Sequence, residues 1–73
     1  MEPQLLKKVL LKMGWIENQT SNLSLISPYT EKPMFYTLPA ALAIEKNKVL
    51  DEKKWKRKVA SIKRSITLEE KNT

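Results

Sequence analysis

Nine basic side chains fall within residues 46–64: Lys46, Lys48, Lys53, Lys54, Lys56, Arg57, Lys58, Lys63 and Arg64. Only Asp51 and Glu52 oppose them there, so the window carries 9 − 2 = +7. The rest of the chain has five basic and six acidic residues, or −1, and the net charge of +6 belongs to this one stretch. Ammonium and guanidinium groups at such density neutralise phosphates or carboxylates, and each phosphate they meet releases a condensed counterion. The asymmetry points to an anionic partner: nucleic acid, an acidic protein surface or a membrane surface.

Other chemistries lack their parts. The 73 residues contain no histidine and no cysteine. That removes the usual general base, the thiolate nucleophile and the commonest zinc ligands. A single glycine cannot build a phosphate-cradling loop, and the carboxylates are scattered or lie beside lysines. No enzymatic activity, cofactor or metal is expected. Twelve of the fourteen basic residues are lysines, leaving Arg57 and Arg64 as the guanidinium forks suited to guanine. Phosphate contact is therefore expected to outweigh base discrimination. Lys46, Lys48, Lys53, Lys54, Arg57, Lys58, Lys63 and Arg64 are the candidate nucleic-acid-binding residues. Tyr29, between two prolines, is the ring best placed to stack on an unpaired base.

Most of these residues must be positioned by one helix over residues 51–66. Trp55, Val59, Ile62 and Ile66 recur at four-three-four spacing and span an arc of roughly 60°, with cations around the remainder. Asp51 is placed to cap this helix. Upstream, Pro3 opens a first helix over residues 3–13 with Leu5, Leu6, Val9, Leu10 and Met13 on one face. Leu11 points away from that face, and Gly14 supplies a left-handed terminator. Trp15 and Ile16 are expected to fold back on the core, and residues 17–22 form a loop. Short strands at 23–26 and 34–36 flank a Pro-containing connection. Thr37 then caps a second helix over residues 38–48, and Val49 and Leu50 bury between the last two helices. The tail from Leu68 frays.

The reading is a single small α+β domain over residues 1–67, ordered helix, β-hairpin, helix, helix, with a frayed tail over 68–73. Its core is expected to gather Leu5, Val9, Leu10, Met13, Leu23, Leu25, Phe35, Leu38, Leu42, Leu50, Trp55, Val59 and Ile62. A chain this short has little core to stabilise it, which leaves room for a homodimer. No segment reaches the roughly 18 apolar residues of a membrane span. Lys7, Lys8 and Lys12 interrupt any leader-like centre, so an intracellular protein is expected, in cytoplasm, nucleoid or nucleus.

Residues 25–46, LISPYTEKPMFYTLPAALAIEK, have the hairpin-then-helix order and the Ser-Pro turn of hairpin–helix DNA-binding modules. In this the stretch resembles the methyl-CpG-binding domain. It departs from that family in having no arginine in or near the hairpin and in the helix before it, and no functional residue is carried over. The expected function is phosphate-directed binding of nucleic acid, duplex DNA foremost, through the C-terminal helix. The alternative is a small regulatory or inhibitor protein that acts by protein–protein interaction.

Overall fold

A computed structural model describes residues 2–71. The chain runs α1 (Pro3–Lys12), β1 (Ile16–Glu17), β2 (Ser24–Ile26), β3 (Phe35–Thr37), α2 (Leu38–Lys48) and α3 (Glu52–Lys71). The expected α+β order is present, with one strand more than the hairpin. The three strands form an antiparallel meander, β1-β2-β3.

Gly14 ends α1 with a φ of +106°. The Gly14 N–H donates to the Leu11 carbonyl and the Trp15 N–H to the Leu10 carbonyl, both at 3.1 Å. This paired arrangement satisfies two carbonyls that the last turn would leave open, and it turns Trp15 back beneath the helix. Leu6, Leu10, Trp15, Leu25, Leu38 and Ala41 form the main core cluster, with Leu11, Met13 and Leu42 packed against it. Leu11 is thus partly buried rather than turned away from the core. The sheet's inner rung pairs Leu25 with Tyr36, and its outer rung aligns Ile16, Ile26 and Phe35.

That register corrects one expected core residue. Phe35 is 60% exposed because it pairs with Ile26 on the outer face, and Tyr36 takes the inward position beside Leu25. Leu23 is also exposed, lying one residue before β2 where the sheet has ended. Leu50 is fully exposed. The connection between α2 and α3 is too short to bury two successive side chains, and Val49 takes the more sheltered position. Ile16 lies on the outer face as part of β1 and is half-exposed, while Trp15 is buried as expected.

α1 packs against both α2 and α3. Trp55, Val59 and Ile66 of the predicted seam are buried and Ile62 is half-buried. The Asp51 carboxylate accepts the Lys53 N–H at 2.8 Å, capping α3 as its sequence indicates. Thr37 stands at the N-cap of α2, but its hydroxyl makes no capping bond. The tail departs from expectation: α3 stays helical through Lys71, and only residues 72–73 of it lie outside the described residues. Glu69 and Glu70 bond Lys12 and Lys8 of α1, which ties down the last turn.

Candidate nucleic-acid interface

α3 has 20 residues, about 30 Å at 1.5 Å per residue, and so extends across nearly the full 33 Å width of the molecule. Its seam faces α1, which fixes where the cations point. Lys53, Arg57 and Arg64 lie roughly 160–200° around the helix from Trp55 and form its outermost line. Lys54 and Lys58 occupy one flank; Lys56 and Lys63 occupy the other, toward α2. Lys53, Lys54, Arg57, Lys58 and Arg64 are exposed and Lys63 is half-buried.

The carboxylates are distributed unevenly among these cations. The three lysines of α1 are all paired: Lys7 with Glu17 at 3.1 Å, Lys8 with Glu70 and Lys12 with Glu69. Lys7 also reaches the Asn22 side-chain oxygen at 3.2 Å. On α3 the ion pair is Lys56 with Glu52, at 4.0 Å and largely in solvent. Among the described residues, Lys46, Lys53, Lys54, Arg57, Lys58, Lys63 and Arg64 have no carboxylate partner. Asp51 and Glu52 offset the positive end of the helix dipole in the first turn. Beyond that turn, the outer face of α3 is an uncompensated row of positive charge.

Two expected site residues are placed elsewhere. Glu45 of α2 is 2% exposed and accepts the Trp15 indole N–H at 2.8 Å and the Tyr29 hydroxyl. Tyr29 meets Trp15 edge-on at 6.0 Å, and the Lys48 ammonium lies over its ring. Tyr29 is half-exposed, as its loop position indicates, and the protein's own Lys48 cation lies over one face of its ring, where a stacking base would have to displace it. Lys48 thus belongs to the Tyr29 cluster rather than to the α3 surface. Hydrogen bonding to Glu45, then burial, then the carboxylate charge push the Tyr29 phenol up to about 12.

Glu45 and Lys56 were not singled out as functional by the sequence. Glu45 had a readable signal, since Leu38, Ala41 and Glu45 share one helical face at three-four spacing. Among the described residues, no group of three or more acidic side chains could hold a metal ion. No described helix is long and apolar enough to cross a membrane. No protein-family model, curated protein or solved structure matches the chain, so the reading of its surface rests on this geometry.

Proposed function

We propose that this protein binds nucleic acid, duplex DNA foremost, by setting the outer face of α3 against the phosphate backbone. One observation carries the reading: carboxylates neutralise the lysines of α1, whereas Lys53, Lys54, Arg57, Lys58 and Arg64 are exposed and, among the described residues, have no carboxylate partner. A rigid helix about 30 Å long, bearing cations on its outward line and one flank, can meet several phosphates at once or enter a major groove. The aromatic residues favour duplex over single strands. Trp15 and Trp55 are buried, Lys48 lies over the Tyr29 ring, and the exposed Phe35 belongs to the outer face of the sheet, so α3 itself bears no free aromatic face beside its cations. With lysine in the majority, most contacts position the duplex rather than read its bases.

Charge reversal tests this directly. The variant Lys53→Glu/Arg57→Glu/Arg64→Glu changes three exposed side chains without touching the seam, so its circular dichroism and melting should match the parent. Its affinity for a short duplex, followed by fluorescence anisotropy at low salt, should fall below detection. Duplex binding equal to the parent's would exclude α3 as the interface.

A further inference from the structure

The side of α3 that faces α2 has a different character. Each helix packs on α1, but α2 and α3 make no extended contact with one another. Two adjoining hollows open between them, of about 370 and 250 Å³, with Trp55 lining both. Leu42 and Val59 line the smaller hollow, and Val49 and Leu50 the larger. Leu50 is 100% exposed, an entire leucine side chain in water at the edge of the larger hollow, whose lining mixes Val49 and Trp55 with Lys46, Asn47 and Glu52. The margin is cationic: Lys46 comes from α2, and Lys56 and Lys63 stand two helical turns apart on α3. Glu52 is the carboxylate in the lining, leaving the rim at 3 − 1 = +2.

We propose that this cleft binds an acidic, amphipathic segment of a partner protein. Leu42, Val59 and Trp55 in one hollow and Val49 and Leu50 in the other offer apolar contacts that the apolar face of an amphipathic helix can meet. Acidic residues flanking that face meet Lys46, Lys56 and Lys63. Charge complementarity selects an acidic segment, and the apolar floor selects a peptide over nucleic acid. A phosphate backbone gains nothing from Leu42, Val59 or Leu50, and Trp55, only 8% exposed, has no free face for a base. The site is independent of the phosphate-binding reading, because Lys53, Arg57 and Arg64 lie on the far side of α3.

The test is a chemical-shift titration of the ¹⁵N-labelled full chain with a synthetic amphipathic helix of leucine, phenylalanine and glutamate, about 15 residues long. The Trp55 indole signal and the amides of Leu42, Leu50 and Lys63 should move, with Lys53, Arg57 and Arg64 little changed. Lys56→Glu/Lys63→Glu should weaken binding by about tenfold or more. Leu50→Ser, which removes a side chain without internal contacts and so cannot harm the fold, should weaken it several-fold. Lys53→Glu/Arg57→Glu/Arg64→Glu should keep the peptide while losing the duplex, which separates this site from the nucleic-acid surface. Three results would overturn the proposal: a glutamine-for-glutamate peptide that binds equally well, shifts confined to the outer line of α3, or cleft signals that respond to duplex DNA and not to the peptide.

Discussion

Replacing Glu45 by alanine should destabilise this protein, because it takes away the acceptor of two hydrogen bonds. The carboxylate is 2% exposed and accepts hydrogen bonds from the Trp15 indole and the Tyr29 hydroxyl. In Glu45→Ala the indole N–H, on a residue only 3% exposed, loses its acceptor, which costs about 1–3 kcal/mol. The Tyr29 hydroxyl is nearer to solvent and can turn to water, so its loss adds about 1 kcal/mol. A total of about 3 kcal/mol corresponds to a Tm lowered by roughly 12–24 °C in a domain of this size. Glu45→Gln retains a carbonyl oxygen for the indole and removes a buried charge that is itself costly to desolvate. Its loss should be about 1 kcal/mol or less. Urea unfolding followed by tryptophan fluorescence and circular dichroism, with equal m-values, measures both variants. An alanine variant as stable as the parent, or a glutamine variant as damaged as the alanine one, would refute the reasoning that hydrogen bonding is what Glu45 contributes.

The same contact sets a pH dependence. Tyr29 must keep its proton to donate to Glu45, and its pKa is raised from 10.0 to about 12. Its contribution to stability is complete below pH 10 and is lost as the pH rises through 12. Phenolate absorbance should therefore show a late ionisation that Tyr29→Phe abolishes; an unchanged titration in that variant would contradict the contact. Gly14→Ala should cost about 1–3 kcal/mol in urea unfolding, from backbone strain at positive φ. A Cβ there meets nothing within 4 Å, so Gly14→Asn should cost less than alanine. Glu69→Gln/Glu70→Gln removes two exposed pairs and should lower stability by about 1 kcal/mol or less. By unmasking Lys8 and Lys12 it should raise affinity for a duplex measured by anisotropy, and a fall in affinity would contradict the charge account.

The three helices were legible because their apolar residues recur at helical spacing and because Pro3, Gly14 and Asp51 mark ends by known local geometry. Strand register was not. A pairing slip of one residue exchanges Phe35 and Tyr36 between the two faces, and nothing local to the long hairpin connection chooses between them. Two residues are too few to show an alternation, which hid β1. The last turn of α3 read as frayed because no apolar residue continues the seam past Ile66. It is held instead by ion pairs with α1, a tertiary fact absent from local sequence. The density of cations in residues 46–64 was visible directly, but their division was not. The fold decides that Lys48 covers Tyr29, that Lys56 and Lys63 border the cleft, and that Lys53, Arg57 and Arg64 face outward.

The salt dependence of duplex binding tests the central claim most directly. If α3 engages about three to five phosphates, a plot of log affinity against log salt concentration should be linear with a slope between roughly −2.7 and −4.5. The Lys53→Glu/Arg57→Glu/Arg64→Glu variant should show no binding over the same range. No association of the parent with a duplex at low salt, or an identical slope in the variant, would contradict it.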